Sequence, residues 1–376
     1  MLITIIIPTK NRCSLLQESL DSVLAQTYSD WEVIVVDDGS EDGTIEILES
    51  LTDERIRFIK RDSMPSGAPA CRNIGAENAQ GEHLIFLDSD DLLLPHALER
   101  RAQLMESNLE LDFAAYVGEM FVASPGDQGV LWNIPTGKPD FDRFLGLDVS
   151  WQTSGPIWRA EFFHRIGGWA ETLLCGQDSE LHLRALSFDP HYQYCVEVDY
   201  AIRAGNVARQ SVGGNWKTVE GQLSHAQSVI KLCQSDRGRE LNSQQRSIAA
   251  GRLLYHAIHI MKISSEDGRD DAYKLWKNAR EYHLIPFSSY LLGCLWISKY
   301  RLFWGDLAAY LINHLESEDF LLKNRARLAS TPISCLEEDP YDGRFHKQDS
   351  FVSSGLVRKG LLPYMMGKLR RKAALL

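Results

Sequence analysis

The first 90 residues alternate between short apolar runs and amphipathic stretches, and this alternation limits the possible folds more than any other feature of the chain. Four runs rich in β-branched residues are predicted strands, at 2–7, 31–36, 56–59 and 83–87. Three segments between them space apolar residues at helical intervals, at 14–26, 44–51 and 68–78. Strands that alternate with helices in this way form a mostly parallel sheet covered on both faces. We therefore expect an α/β fold with such a sheet flanked by helices.

The rest of the chain separates into a less regular middle and a helical end. Three further strands are predicted at 113–122, 156–159 and 192–198. Four further helices are predicted at 92–105, 179–186, 247–261 and 290–315. Because 376 residues exceed what one hydrophobic core usually serves, we expect two domains, an α/β domain at 1–225 and an all-helical one at 226–349.

Charge and cysteine usage narrow the class of protein. The formal net charge is -11, which argues against a nucleic-acid partner because phosphate backbones require a basic face. The seven cysteines are scattered without a CxxC pair. They fit neither a disulfide framework nor a zinc site, and they indicate a reducing compartment. The short apolar N-terminus ends at a proline, which is typical of a first strand and not of a signal peptide. We expect a cytoplasmic protein.

The last segment of the chain, 350–376, is a basic amphipathic tail. It contains six lysines and arginines and no acidic residue, and leucines and methionines lie among them. Such a segment can rest on an anionic membrane, so 355–376 is a candidate for peripheral contact with the inner face of the membrane. The alternative is a solvated tail that packs on its own acidic body.

Three carboxylates within four residues follow the fourth predicted strand, at Asp88, Asp90 and Asp91. Like charges repel at this range, and a divalent cation removes the repulsion. Mg²⁺ and Mn²⁺ prefer oxygen ligands and often combine one or two carboxylates with substrate phosphates. The cluster therefore predicts a site for a metal and a diphosphate. An ordinary explanation covers only Asp91, as the cap of the helix predicted at 92–105.

A second acidic pair, Asp37 and Asp38, follows the second strand in the run VVDDGSEDGT. The glycines of this run permit a tight turn, which an ordinary strand–turn–helix unit also contains. A carboxylate here can accept the N–H of a pyrimidine base or bond a ribose hydroxyl. Ligands of parallel sheets bind at the carboxyl ends of strands, and both acidic clusters are predicted at such ends.

Four motifs follow one another in a specific order: IIIPTKNR at 5–12, VVDDGSEDGT at 35–44, ACRNIG at 70–75 and LDSDD at 87–91. Together they resemble the family 2 glycosyltransferases of the GT-A fold. Further along, WRAEFF, IGGW and GQDSEL, within 158–181, are similar to the acceptor-side motif of that family. The resemblance covers about residues 1–225 and implies the fold of a nucleotide-diphospho-sugar transferase.

The resemblance also implies where a nucleotide sugar binds. The nucleotide-binding residues that it indicates are Pro8, Thr9, Arg12, Asp37, Asp38, Arg72 and Asp88. Among them Asp38 would hold the base with support from Asp37, and Arg72 would sit near the base or the phosphates. The implied cofactor is Mn²⁺ or Mg²⁺, with Asp90 as the principal ligand and Asp88 as its assistant. For Arg72, the alternative is a salt bridge to Asp37 or Asp38.

The resemblance implies that Asp178 is the catalytic base. Direct displacement at an anomeric carbon requires deprotonation of the acceptor hydroxyl, which a positioned carboxylate performs well. The alternative is that Asp178 is an ordinary helix N-cap. Gln177 stands where the family usually has Glu, so it is a weak candidate for acceptor binding. Trp151 and Trp169 are equally weak candidates for stacking on a sugar, because tryptophan is more often a core residue.

These patterns predict a metal-dependent, inverting glycosyltransferase. We expect it to move a sugar, with a UDP-sugar as the favoured donor, to a glycan or lipid-linked acceptor in polysaccharide or glycolipid synthesis. One alternative is a non-catalytic glycan-binding or scaffold protein that keeps the fold. Another is a nucleotidyltransferase, which normally carries a glycine-rich basic loop after the first strand, where this chain has PTKNR. No GxGxxG follows either early strand, which disfavours a dinucleotide oxidoreductase.

Overall fold

The computed structural model describes residues 1–61, 66–204, 216–263, 268–299 and 331–332. The strands are β1 (Ile3–Thr9), β2 (Trp31–Asp37), β3 (Ile56–Lys60), β4 (His83–Phe86), β5 (Leu92–Leu93), β6 (Phe113–Phe121), β7 (Val130–Leu131), β8 (Pro156–Arg159), β9 (Tyr192–Arg203) and β10 (Thr331–Pro332). The first seven helices are α1 (Cys13–Leu24), α2 (Thr44–Ser50), α3 (Ala68–Glu77), α4 (Ala97–Ser107), α5 (Asp140–Leu145), α6 (Ala160–Arg165) and α7 (Gln177–Ser187). The helices of the C-terminal part are α8 (Val219–Gln234), α9 (Asp236–Arg239), α10 (Ser243–Ile263), α11 (Gly268–Glu281) and α12 (Phe287–Lys299).

The strands form one mixed sheet in the order β10-β7-β6-β8-β4-β1-β2-β3, and β9 joins β5 to β6 beside this path. The first four strands pair in parallel through β1–β2, β2–β3 and β1–β4. Beyond β4 the pairing changes, because β8 runs antiparallel to both β4 and β6. The predicted α/β fold is confirmed, with its parallel part in the first 90 residues and a mixed part after it.

The parallel strands are the buried centre of the first half. Every residue of β1 and of β2 is buried, which explains their continuous apolar composition. Helix α3 lies close to β1 at Gly75, where an added Cβ would overlap the side chain of Ile6. The small residues of α3 therefore let its backbone approach the sheet closely. This approach brings Arg72, on the same helix, toward the ends of the strands.

The prediction of a helix at 92–105 is wrong for its first residues. Leu92–Leu93 pairs antiparallel with β9 as strand β5, and helix α4 begins only at Ala97. Pro95 lies between them, where its lost N–H costs no helical hydrogen bond. The short elements β5, β7, α5 and α6 are additions that the sequence patterns did not predict.

The C-terminal helices share a hydrophobic core with the α/β part. One cluster of buried side chains runs from Ile6 and Phe86 of the sheet through Trp158 to Leu253 of α10 and Trp276 of α11. The domain boundary near residue 225 therefore stays a prediction. The second half of the helix predicted at 290–315 and the basic tail 350–376 lie outside the described residues. Within the ranges given above, no helix combines the length and the apolar character needed to cross a bilayer.

Candidate active site

The carboxyl ends of three parallel strands meet at one edge of the sheet. Thr9 of β1 stands beside Asp37 of β2, and Ile6 of β1 stands beside Phe86 of β4. The loops that follow these strands carry the two acidic clusters. The prediction that both lie at strand ends is confirmed.

Asp37 and Asp38, at the end of β2, accept hydrogen bonds from different parts of the structure. Asp37 is fully buried, and one of its oxygens accepts the backbone N–H groups of Gly39 (3.1 Å) and Ser40 (3.0 Å). Asp37 therefore fixes the turn. Asp38 points away from that turn and accepts a hydrogen bond from Arg61 (2.6 Å) and one from the backbone N–H of Gly67 (2.8 Å).

Arg72 pairs with Asp88, so the alternative of a salt bridge to Asp37 or Asp38 is wrong. Its Nη2 donates to Asp88 Oδ1 at 2.5 Å, and its guanidinium lies 4.3 Å from the ring centroid of Trp169. The arginine side chain is 7% exposed, whereas that of Asp88 is 35% exposed. The carboxylate is thus presented to solvent by a buried cation.

Arg12 forms a second arginine–aspartate pair with Asp90. Both side chains are about one-quarter exposed, at 21% and 25%. Arg203, at the end of β9, donates from Nε to the backbone carbonyl of Asp90 (3.1 Å). The loop after β4 therefore holds two accessible carboxylates, each with its own arginine.

Asp91 is the buried member of the cluster and is not a helix cap. It accepts a hydrogen bond from Ser154 Oγ (2.8 Å) and one from the backbone N–H of Arg203 (3.3 Å). Burial, and then the charges of Asp88 and Asp90, raise the pKa of Asp91 well above its ordinary value. Asp91 joins three distant segments and does not reach the site.

The carboxylates at this edge suit a metal ion only if a bound diphosphate supplies further oxygen ligands. Within the described ranges, no group of three or more His, Cys, Asp or Glu side chains is arranged to hold a metal ion. Asp88 and Asp90 are nevertheless exposed, and Mg²⁺ often needs only one or two carboxylates besides substrate phosphates. The residues therefore suit an ion held between a carboxylate and a diphosphate, and not an all-protein cage.

Pro8 and Thr9 lie at the end of β1 and are both buried. Thr9 Oγ1 has no hydrogen-bond partner within the described part of the chain. Its backbone carbonyl accepts the N–H of Asp38 at 2.9 Å, which ties the end of β1 to the loop after β2. Their place at the strand edge is therefore as expected, while their contact with a nucleotide stays a prediction.

Asp178 lies in the first turn of α7, one residue after the start of the helix. The N-cap is Gly176, in the left-handed conformation with φ of 73°, so Asp178 is not the N-cap that the alternative assumed. Its Oδ1 accepts the N–H of Ser179 (2.7 Å). Gln177 donates from Nε2 to the carbonyls of Leu173 and Leu174, both at 3.2 Å. The side chain of Gln177 thus stabilises the loop before the helix.

Comparison with known proteins agrees with this geometry. Residues 4–143 match the family model described as glycosyl transferase family 2. This part of the chain is therefore similar to a family 2 glycosyl transferase domain.

The similar proteins match different shares of this chain and of their own lengths. An uncharacterized glycosyltransferase of Haemophilus influenzae is 24% identical over 284 residues, which is 75% of this chain and 93% of that protein. The Escherichia coli enzyme UDP-Glc:alpha-D-GlcNAc-diphosphoundecaprenol beta-1,3-glucosyltransferase WfgD is 38% identical over 108 residues, or 28% of this chain and 42% of that protein. Two uncharacterized glycosyltransferases, of Rickettsia felis and Rickettsia conorii, are both 38% identical, and the chain spans only 17% and 32% of their lengths.

Solved structures support the fold of the glycosyl transferase domain. TarS residues 1–349 of S. aureus, in complex with UDP-GlcNAc, superposes with a TM-score of 0.58 at 18% identity. The superposition covers 76% of this chain and 82% of that one. At this identity the likeness shows the GT-A type of fold.

Trp151 and Trp169 are core residues, which corrects the expectation that they stack on a sugar. Trp151 is fully buried, with ring centroids of Phe144 at 4.9 Å and Tyr194 at 5.2 Å. Trp169 is 3% exposed and lies between Phe86 and the guanidinium of Arg72. Trp169 thus supports the candidate site through its contact with Arg72.

Sequence reasoning missed several residues of the candidate site. Arg61 holds Asp38, Arg203 holds the loop of Asp90, and Ser154 bonds Asp91. None of them stands in a recognisable motif. Arg203 is the last residue of β9 and stands shortly before the stretch 205–214. The stretch 205–214 lies outside the described residues.

Proposed function

We propose that the protein is an inverting glycosyltransferase that moves a sugar from a nucleotide-diphosphate donor to a hydroxyl acceptor. One observation carries this proposal: the loop after β4 holds two accessible aspartates, Asp88 and Asp90, each paired with an arginine, Arg72 and Arg12. A diphosphate needs cations, and a metal that bridges to it needs carboxylates. This edge offers both.

We infer that the donor is a UDP-sugar. Asp38, held by Arg61 and by the N–H of Gly67, is oriented to accept the N–H of a pyrimidine base, while Asp37 keeps the turn in shape. Pro8 and Thr9 end β1 beside this loop and would line the same pocket. WfgD is named as acting on UDP-Glc, and the TarS structure contains UDP-GlcNAc, which supports the choice of nucleotide.

The fit of the donor set supports Asp90, assisted by Asp88, as the holder of Mn²⁺ or Mg²⁺ together with the donor diphosphate. When bound, such an ion supplies positive charge to the departing diphosphate. Arg12 and Arg72 pair with these carboxylates, so their guanidinium groups would stand beside the donor phosphates.

Asp178 is the proposed base. It takes the proton of the acceptor hydroxyl as that oxygen forms a bond to the anomeric carbon, and the bond from that carbon to the diphosphate breaks on the opposite face. The configuration of the sugar therefore inverts. The first turn of α7 favours a negative charge at Asp178, because the unpaired N–H groups at a helix start are electropositive.

The acceptor is proposed to be a growing polysaccharide or a lipid-linked glycan. The name of WfgD specifies a diphosphoundecaprenol-linked sugar, and another relative, TuaG of Bacillus subtilis, is named for teichuronic acid biosynthesis. The chain spans less than half of both proteins, at 42% and 46%. The basic tail 355–376 would hold the cytoplasmic enzyme at the inner membrane face, and deletion of this tail should abolish binding to anionic liposomes. Unchanged binding would refute the membrane contact.

A transfer assay tests the proposal. The purified protein is incubated with UDP-, GDP- and dTDP-sugars and a lipid-linked acceptor, with Mn²⁺ and with EDTA, and the product anomer is read by NMR. We expect transfer from a UDP-sugar that depends on the cation and inverts the anomeric centre. Donor binding without turnover would favour the scaffold alternative, and release of pyrophosphate from a nucleoside triphosphate would favour a nucleotidyltransferase.

A further inference from the structure

Helix α10 carries a buried arginine that forms no ion pair with a carboxylate of the described residues. Arg252 is fully buried, and it donates to the carbonyls of Phe144 (2.9 Å) and His225 (3.0 Å) and to Ser228 Oγ (2.7 Å). Its Nε has no hydrogen-bond partner in the described part of the chain. A buried charge without a counter-charge is costly, so the retention of this arginine needs an explanation.

The other buried arginines of the described ranges are neutralised by a neighbouring carboxylate. Each of them forms an ion pair with an aspartate, in the pairs Arg61–Asp38, Arg72–Asp88, Arg101–Asp199 and Arg143–Asp148. Arg252 forms no ion pair with a carboxylate of the residues that the structure describes. Its bonds go to neutral oxygens, which hold the guanidinium in place without neutralising it.

The acidic side chain that acts on Arg252 is Asp178. Burial lowers the pKa of Arg252 to about 9, and attraction to Asp178 opposes that lowering. The attraction is mutual, so the same positive charge favours the ionised carboxylate of Asp178. An ionised carboxylate is the form that a general base requires.

A packing contact connects Arg252 to the start of α7 by a second route. The carbonyl of His225 accepts from Arg252, and the imidazole of His225 lies against Gly176, where an added Cβ would stand 2.7 Å from Cε1. Gly176 is the N-cap of α7, two residues before Asp178. Arg252 therefore fixes the segment of α8 against which the first turn of α7 rests.

The other charged and titratable groups around this contact lie on or beside α5, α7, α8 and α10. On α7 and α8, Glu180 bonds Arg184 at 2.8 Å and lies 4.0 Å from Lys231. The remaining groups are Cys175 before α7, His225 of α8, His256 of α10, and Asp140, Asp142 and Arg143 of α5. Arg143 pairs with Asp140, Asp142 accepts from Gln245, burial lowers the pKa of His256, and burial raises the pKa of Cys175 to about 11.

We infer that Arg252, from the C-terminal helices, is the positioning residue of the base Asp178. It favours the ionised carboxylate by charge and holds the start of α7 through His225. The inference rests on the proposed function, in which Asp178 accepts the proton of the acceptor. The helical part of the chain is then part of the catalytic unit and not an appended module.

The test compares Arg252→Met and Arg252→Lys in the full-length protein. Helix α10 offers a matched control, Arg246→Met, because the Arg246 guanidinium likewise donates to neutral oxygens, the backbone carbonyls of Leu241, Arg239 and His283. For each variant, kcat, KM and their pH profiles are measured with UDP-sugar and acceptor, and circular dichroism verifies the fold.

In Arg252→Met we expect kcat to fall by about tenfold or more at neutral pH, with KM for the donor unchanged and the acidic limb of the kcat profile moved to higher pH. Arg252→Lys keeps the charge, so its acidic limb should stay near that of the unmodified protein. Arg246→Met should leave the limb in place. If Arg252→Met does not fold, Arg252→Gln, which is also neutral and retains two donors, carries the same expectation.

Two results separate this inference from the proposed function. Transfer by the unmodified protein, with an acidic limb that does not move in the neutral Arg252 variants or that moves equally in Arg252→Lys, overturns the role of Arg252 and leaves the proposed function standing. Absence of transfer from every donor by the unmodified protein overturns the proposed function, and the inference falls with it.

Discussion

Arg72 and Asp88 form a 2.5 Å ion pair in which the cation is buried and the carboxylate is one-third exposed. The guanidinium rests on the buried ring of Trp169, so its position is set by packing as well as by charge. Fixed in this way, Arg72 holds the carboxylate of Asp88 at the strand edge. Its other N–H groups can then donate to a second anion. The pair is therefore suited to a site where a diphosphate arrives.

Replacement of Arg72 by Met should lower kcat/KM for the nucleotide sugar by about 10- to 100-fold, because charge-assisted hydrogen bonds contribute about 1.5–3 kcal/mol. Steady-state kinetics with the donor varied provide the measurement. Arg165→Met is the control, since Arg165 also pairs with an aspartate (Asp112, 2.9 Å) and lies over an aromatic ring (Phe162, 5.0 Å), but is half exposed. Equal losses in both variants would contradict a donor role for Arg72.

Asp178→Asn should lower kcat by about 10²- to 10⁴-fold while donor binding persists, because the amide cannot accept the acceptor's proton. Transfer kinetics and isothermal titration with the nucleotide sugar separate the two effects. Asp189→Asn serves as the control: this exposed residue lies just after the other end of α7 at φ of 54°, a conformation that asparagine tolerates. Full transfer activity in Asp178→Asn would rule out this base.

In metal-free buffer, the advantage in stability of the Asp91→Asn variant over the unmodified protein should grow as the pH rises. Burial raises the folded-state pKa of Asp91 well above 3.8, so the folded protein favours the protonated form. The stabilisation linked to that proton is present below the unfolded pKa and is lost as pH rises through the folded value. The asparagine lacks this titration, so the difference in Tm between variant and unmodified protein should grow between pH 4 and 8 in thermal scans.

Asp127→Asn should show the opposite trend and provides the contrast. Backbone N–H groups, that of Ala123 first, lower the pKa of the Asp127 carboxylate below its ordinary value. Its stabilisation is present above the unfolded pKa and lost as pH falls through the folded one. The Asp127 variant should therefore lose Tm at pH 7 and approach the unmodified protein at pH 3. Parallel pH trends in the two variants would refute the assignment for Asp91.

Gly176→Ala should destabilise the protein by more than Gly126→Ala does. Both glycines have positive φ, 73° and 84°, so both substitutions carry a backbone cost of about 1 kcal/mol. A Cβ at Gly126 meets nothing within 4 Å, whereas one at Gly176 overlaps the His225 ring. The difference between the two free energies of unfolding, measured by urea titration, isolates that overlap and should exceed about 1 kcal/mol. Equal costs would mean that the ring of His225 moves aside freely.

The sequence determined the local elements and the edge where the chemistry lies. The apolar runs that became β1, β2 and β4 are buried along their whole length, so their composition alone marks them, and a carboxylate that follows such a strand lies at its end. Local pattern failed where a distant partner decided the outcome. Leu92 and Leu93 have helix-compatible side chains, but pairing with Tyr200 and Ala201 makes them a strand and moves the helix start to Ala97.

Only the tertiary structure decided which charges meet. Arg61 reaches Asp38, Arg72 reaches Asp88, and Ser154 reaches Asp91 across separations of 23, 16 and 63 residues. Spacing along the chain carries no information about such pairs, because each depends on how helices and loops settle on the sheet. The same holds for Trp151, which composition cannot distinguish from a sugar platform until burial is known. It holds also for Arg252, whose charge acts on Asp178 because α10 packs against α8 and α8 packs against α7.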